Sequence, residues 1–422
     1  MRRVFWALGV LVVLAAIAFF GFAPGIVEGS MNKIDKGPLP KVTAETRKLH
    51  DSLAVADMHA DTLMWRRSLL EHSNTGQVDL PRLIQGNSAL QIFSSVTKTP
   101  KGQNYESNTA ETDNITLLAI AQMQPPRTWG SLLERSLFHA RKLERAAAGS
   151  DGKLRVILTA QQLDKLLADR AAGRKVVGGM LSIEGLQSIE GKLSNIDRLY
   201  DAGFRMAGLA HFFDNEVAGS MHGVRKGGLT PLGVQVMRRM EQRGMIVDIA
   251  HASHPAVAQI LSLAKRPVVS SHGGVQATCK VNRNLTDDEI KGVARTGGVI
   301  GIGFWDAAIC GTAPADVVRA IRHVRDLVGI DHVGLGSDFD GAVTTRFDAS
   351  QIAVITQALA EAGFSRQDIA KVMGGNVLRV VRAGIVPQAP RVAKSEPAPS
   401  TGSCDRNPLA ISTIWQDPYT LL

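Results

Sequence analysis

The chain has 422 residues, 45% hydrophobic and 21% charged, an ordinary globular composition that excludes a disordered protein and allows a large core. Lys and Arg number 48 against 39 acids, a formal charge of +9, but they are scattered, with no basic run interleaved with aromatics, so no nucleic-acid partner is expected. Cys279, Cys310 and Cys404 fit no zinc-finger or CxxC spacing, and a Cys279–Cys310 disulfide is permitted outside the cytoplasm without being dictated by the sequence.

Arg2 and Arg3 precede an uncharged run from Val4 to Ala23. About 20 apolar residues in a helix span a bilayer, whereas the apolar region of a cleavable signal is about 7 to 15 residues long. Residues 1–23 are therefore expected to form a transmembrane helix. The arginine pair should stay cytoplasmic, with everything after the helix on the periplasmic or extracellular side. A cleaved signal and a secreted protein are the alternative. Residues 24–45 are expected to be a linker, 46–386 the folded body, and 387–422, rich in Pro, Ala and Ser, a flexible tail.

Within the folded body, short runs rich in Val, Ile, Leu, Ala and Gly alternate with longer amphipathic stretches, the pattern of βα units on a parallel sheet. Eight strands are expected, at 53–59, 88–95, 176–185, 204–211, 245–251, 267–272, 298–304 and 332–339. Between them, Thr230, Pro231 and Gly244 mark the start and stop of one helix, and Thr286 and Gly297 those of another. Such a chain most simply closes into a (β/α)8 TIM-type barrel, with residues 96–175 as a helical elaboration over one rim. A doubly wound open sheet is the rival, but no Gly-rich phosphate loop follows the first strand.

The first strand runs into "DMHAD", with Asp57, His59 and Asp61 spaced by two. Residues two apart on a strand share a face, so His59 and Asp61 project side by side in a chelating arrangement. Acids and imidazoles recur at the ends of other strands: Glu184 on the third, His211 on the fourth, His251 on the fifth, His272 on the sixth and Asp338 on the eighth. In a barrel these ends meet at one mouth, where catalytic groups sit. Imidazoles and carboxylates in this number make a hydrolytic metal site and exceed what one tetrahedral zinc with an open position needs. Two metals require a bridging group, and Glu184 is the acid placed to supply it.

Several motifs occur in one order: "DMHADTL", "VDLPRL", "SIEG", "GLTPLGVQVMRRMEQRGMIVDIAHAS", "SSHGGVQ", "NRNLTDDEI", "GLGSDFDG" and "MGGNVLRV". Together they resemble the membrane dipeptidase (renal dipeptidase) family of binuclear zinc peptidases over about Ala54 to Val380. The resemblance implies a barrel holding two zinc ions, with His59 and Asp61 on one, His251 and His272 on the other, and Glu184 and a water or hydroxide bridging them. It further implies that His211 faces the substrate carbonyl, that Arg283 binds the terminal carboxylate of a dipeptide, and that Asp338 moves protons and contacts substrate. The expected reaction is hydrolysis of the peptide bond of a dipeptide with a free C-terminal carboxylate, through a metal-bridging hydroxide.

The segment after His211, "FFDNEVAGSMHGVRKGG", keeps the His and an Asn of the family pattern, but its substrate-facing side chains do not align with it, which leaves side-chain preference open; His222 within it is expected to be a solvated loop residue rather than a substrate contact. Alternative readings are a binuclear amidohydrolase for an N-acyl amino acid, a cyclic amide or a β-lactam, and an inactive membrane-tethered binding module. The expected partners are the dipeptide and, through the N-terminal helix, the membrane, with a homodimer as a possible assembly.

Overall fold

A computed structural model describes residues 2–385. Eight parallel strands form a closed ring: β1 (Val55–Ala60), β2 (Ser88–Phe93), β3 (Val177–Glu184), β4 (Phe204–Gly208), β5 (Ile246–Asp248), β6 (Val268–Ser270), β7 (Val299–Ile302) and β8 (Val333–Leu335). Sequence neighbours are ring neighbours, and the ring closes where Leu335 of β8 pairs with Asp57 of β1. These are the eight strands expected from the sequence, and closure removes the open-sheet alternative. Helices lie between the strands; Pro231–Arg243 is capped by the Thr230 side chain and ended by left-handed Gly244, and Asp287–Arg295 opens on a capping box from Thr286 and Glu289.

Several strands stop earlier than their apolar runs suggest, β5 at Asp248, β6 at Ser270 and β8 at Leu335. Two of the following residues show why. His251 and Asp338 take left-handed backbone conformations, with φ of 64° and 62°, which turns the chain out of the ladder and projects these side chains over the mouth.

Met58, Leu90, Ile92, Met180, Met206 and Val299 pack inside and beneath the ring. Val377, Val380 and Val381 of the helix Asn376–Gly384 cover its N-terminal end, so the barrel is a packed core with chemistry confined to the opposite face. Between β2 and β3, residues 96–175 fold into the helices Asn114–Ala121, Arg127–Gly130, Leu132–Ala148 and Ala160–Ala171, plus an unexpected short strand, Leu154–Val156, beside the start of β3. Buried Arg135 holds this insertion together by donating to the Thr128 and Thr97 carbonyl oxygens and pairing with Asp113. A disulfide joins Cys279 to Cys310, with Cα atoms 5.3 Å apart; it ties the loop after β6 to the loop after β7.

Arg2–Met31 is one helix of 30 residues, with a π-helical turn at Ile17–Phe22. Its portion Arg2–Ala16 buries no residue. By length and composition this helix can cross a membrane, a test that a signal sequence also passes. Residues 24–45, expected to be a linker, carry the end of that helix and a strand, Lys33–Ile34, paired in parallel with Thr344–Thr345. Composition conceals this, because single polar residues do the docking. The tail expected at 387–422 lies outside the described residues.

The ring is tight at its upper rim. A Cβ on Gly336 would overlap the Ser271 carbonyl oxygen and press on the His272 backbone. Gly336→Ala should therefore destabilise the fold by about 2 kcal/mol, as overpacking of a filled site does. Gly227→Ala, whose Cβ meets nothing within 4 Å, should be close to neutral. Thermal unfolding of the two variants compares them, and equal melting temperatures would refute the crowding.

Candidate metal centre

The eight residues expected to bind metal or substrate, His59, Asp61, Glu184, His211, His251, His272, Arg283 and Asp338, gather at the C-terminal mouth of the barrel, and all are buried. Glu184, the last residue of β3, stands in the middle. Its Oε1 lies 2.8 Å from His251 Nε2 and 2.9 Å from His272 Nε2. Its Oε2 faces the other way, 3.4 Å from His211 Nε2 and 3.8 Å from His59 Nε2. His59 Nε2 is in turn 3.4 Å from Asp61 Oδ1 and 3.8 Å from Asp338 Oδ1. Three overlapping sets arise, each with ligand atoms within 4.8 Å of one another: His59, Glu184 and His272; Glu184, His211 and His251; His59, Asp61 and Asp338.

The neighbours of these side chains fix their directions. Asp57, the deeper polar residue of the first motif, accepts from the backbone and hydroxyl of Ser337 and from Gln91, locking β1 to the turn after β8. Asp248 does the same at the other side, accepting from Ala250 N and Ser271 N at 2.9 Å each. Ser271 Oγ bonds His272 Nδ1 at 2.8 Å, which leaves Nε2 directed inward, as ligating histidines are usually held.

The donor set fits metal ions on physical grounds. The Nε2 atoms of His251 and His272 are 3.0 Å apart with Glu184 Oε1 beside both, close to the ~3.3 Å edge of a tetrahedron whose bonds are about 2.0 Å long. His59 Nε2 and Asp61 Oδ1 are buried without a hydrogen-bond partner, a cost that a bound cation would remove.

Charge tells the same story. Burial and the nearby Asp61 push Glu184 well above the ordinary carboxylate range. Burial, only partly countered by His59, pushes Asp338 up to about 8. Burial alone would lower the His59 imidazole, yet Glu184 and Asp61 hold it up to about 10. His251 and His272 go the other way, kept neutral by burial and by Arg283 and His59 respectively, the state a metal ligand requires.

Arg283, which taken alone would pass for a surface residue, is 2% exposed. Its Nη2 donates to the His272 carbonyl oxygen at 2.9 Å and approaches His251 Nε2 at 3.2 Å, while its Nε has no partner. The guanidinium lines a cavity of about 420 Å³ over the site, together with Asp61, Glu184, His211, His251 and Asp338.

Three aromatic residues of that cavity, Tyr105, Phe212 and Trp305, carried no signal in the sequence. They are brought in by loops of different origin: Trp305 Nε1 bonds the Tyr105 hydroxyl at 3.2 Å, and Asn282 Nδ2 donates to the Tyr105 carbonyl oxygen at 2.6 Å. His222 corrects the expectation of a solvated loop. It is fully buried, its ring stacks on Phe212 at 4.7 Å, and its Nδ1 bonds the Tyr105 carbonyl oxygen at 2.9 Å. The loop folds inward, so an apolar partner replaces water.

Residues 43–393 match the model of the membrane dipeptidase family, peptidase family M19. The chain belongs to that family. Dipeptidase aclJ of Aspergillus oryzae is 29% identical over 370 residues, 82% of this chain and 80% of the relative. An uncharacterized dipeptidase of Schizosaccharomyces pombe is 32% identical over 74% of each chain. The fold is shared with the probable dipeptidase PvdM of Pseudomonas aeruginosa, with TM-score 0.67, 21% identity, and coverage of 80% of this chain and 97% of that one. A metallopeptidase of Rhodobacter sphaeroides liganded with a phosphinate mimic of L-Ala-D-Ala superposes with TM-score 0.64 and 23% identity, over 79% and 99% of the two chains. This family member is a metallo-dipeptidase, a hydrolase of peptide bonds, with clustered His, Glu and Asp side chains able to hold metal.

The burial of Asp338 has a measurable effect without metal. Burial pushes the Asp338 carboxyl from its ordinary 3.8 up to about 8 in the folded metal-free chain. Between those values the folded state binds more protons than the unfolded one, so this group makes stability fall as pH rises from about 4 to 8. Asp338→Asn should abolish that contribution: in chelator, its melting temperature should exceed that of the unmodified chain by a margin that grows with pH. A margin constant between pH 5 and 8 would rule this out.

Proposed function

We propose that the chain is a zinc-dependent dipeptidase acting on dipeptides with a free C-terminal carboxylate, anchored by its N-terminal helix with the barrel outside the cytoplasm. The observation that carries the substrate reading is Arg283, a buried guanidinium lining the cavity with an unpartnered Nε. A carboxylate is the ligand whose two oxygens match that fork. The clamp would require the scissile bond to be the last one before the carboxyl terminus, as the bond of a dipeptide is.

Two zinc ions, one with His59 and Asp61, one with His251 and His272, and both with Glu184, would polarise the scissile carbonyl and lower the pKa of a water. His211, pushed down to about 3 by burial and by His222 beside it, stays neutral and can donate one hydrogen bond to the developing oxyanion. Asp338 would accept the proton of the attacking water at Oδ1 and return it to the leaving amine, its raised pKa brought back down by the charge of bound metal beside it. Tyr105, Phe212 and Trp305 would keep bulk water from the bond being broken.

Export is supported by the long apolar helix behind two arginines and by the Cys279–Cys310 disulfide, since such bonds persist in oxidising compartments. Finding the chain cut near residue 24 and free of membrane would replace the anchor with a signal peptide and leave the chemistry intact.

Two variants test the reading. Glu184→Gln removes the charge shared between the two halves of the site, so metal content should drop from about two zinc ions per chain to well below one, with activity lost; retention of both ions by elemental analysis would exclude Glu184 as the bridge. Arg283→Lys keeps the charge but loses the fork. It should lower kcat/KM for a dipeptide by about 10- to 100-fold, the worth of a charged hydrogen bond, with metal content unchanged. Equal cleavage of a dipeptide and its C-terminal amide by the unmodified chain would overturn the clamp.

A further inference from the structure

The cavity over the metal centre has unlike ends. Arg283 and Trp305 lie at one, while Met64, Trp65, Ile115 and Leu118 make another part of its wall apolar. The ring order sets them apart: β1, which leads to Met64 and Trp65, is three strands from β6, whose loop carries Arg283, counted through β8 and β7. Two further wall residues, Val27 and Met31, come from the helix that continues out of the apolar N-terminal segment.

That helix end is docked on the barrel. Glu28, 3% exposed, accepts from Arg67 Nε at 2.6 Å, and Arg67 also pairs with Asp340 in the turn after β8. Asn32 Oδ1 accepts from Ala342 N at 2.8 Å, and Lys33–Ile34 pairs with Thr344–Thr345. These bonds hold Val27 and Met31 at the cavity although the two side chains remain 38% and 42% exposed. Apolar surface fixed in place at a pocket yet left open to solvent is surface that a ligand can cover.

We infer that Val27 and Met31 form the outer wall of the pocket for the side chain of the substrate's N-terminal residue, so that apolar residues are preferred there and the juxtamembrane helix helps set specificity. The inference rests on Arg283 as the carboxylate clamp: with the C-terminal end held there and the scissile carbonyl over Glu184, the first residue of a dipeptide extends across the mouth toward β1. Glu28 is then a positioning residue, acting through the helix it docks.

The test uses the full-length, zinc-loaded enzyme in detergent, with kcat/KM measured for Leu-Ala and Gly-Ala. Changing Val27 and Met31 together to Ser should lower the Leu-Ala to Gly-Ala ratio about tenfold, the discrimination that a few apolar contacts provide, with zinc content unchanged. Ile26→Ser, on a neighbouring residue outside the cavity wall, should leave the ratio as it was. Glu28→Gln should move the ratio in the same direction as the double variant, by raising KM for Leu-Ala more than it lowers kcat. An unchanged ratio in the double variant, or a mature enzyme whose chain begins after residue 31, would overturn the inference. Absence of any dipeptide hydrolysis by the unmodified chain would remove the dipeptidase reading and the inference together. Equal cleavage of Leu-Ala and its amide would instead fault the Arg283 clamp, and the ratio would still decide the wall.

Discussion

Glu184 shares one buried charge between two groups of imidazoles, with Oε1 against His251 and His272 and Oε2 toward His211 and His59. Removing such a carboxylate from water is costly unless cations compensate it on both sides. The site is accordingly arranged around the demand for positive charge at its centre. Asp61 and Asp338 add to that demand, and the neutral histidines supply lone pairs in place of protons. Arg283 contributes a fixed cation at the edge, where it can balance an anionic ligand without occupying the centre.

This centre depends on a frame that does no chemistry itself. Asp57, in the middle of β1, and Asp248, at the end of β5, accept backbone hydrogen bonds from the turns that carry the neighbouring site residues. Their charges are used up in holding turns, so each ligand arrives on a braced segment. The disulfide after β6 and β7 plays a related part for the loop that bears Arg283. Such bracing matters because reacting groups must be held to within a fraction of an ångström for binding energy to reach the transition state.

The barrel and its polar mouth were legible in the sequence because both follow local rules. Apolar runs of strand length alternate with capped helices, and His59, Glu184, His211, His251, His272 and Asp338 each stand at or just beyond the end of such a run. Strand ends were less legible, since left-handed turns at His251 and Asp338 leave no mark in hydropathy. Tyr105, Phe212 and Trp305 escaped notice because an aromatic in a long loop looks the same whether it faces solvent or a cavity. The docking of residues 24–34 was hidden for a similar reason: it depends on Glu28 meeting Arg67 and on Asn32 meeting Ala342, partners distant in sequence that no local pattern announces.

The left-handed backbone at His251 and Asp338 also bears on how far the enzyme can be hardened against heat. For an ordinary side chain this conformation is a standing cost, relieved by Gly and, more modestly, by Asn. Selection for folding alone would therefore favour replacing the side chains that the metal centre needs, and a library screened only for melting temperature would drift toward well-folded, inactive barrels. Thermal robustness and turnover pull against each other at these two positions, so stabilising changes are best sought on the helices and on the closed N-terminal end of the ring.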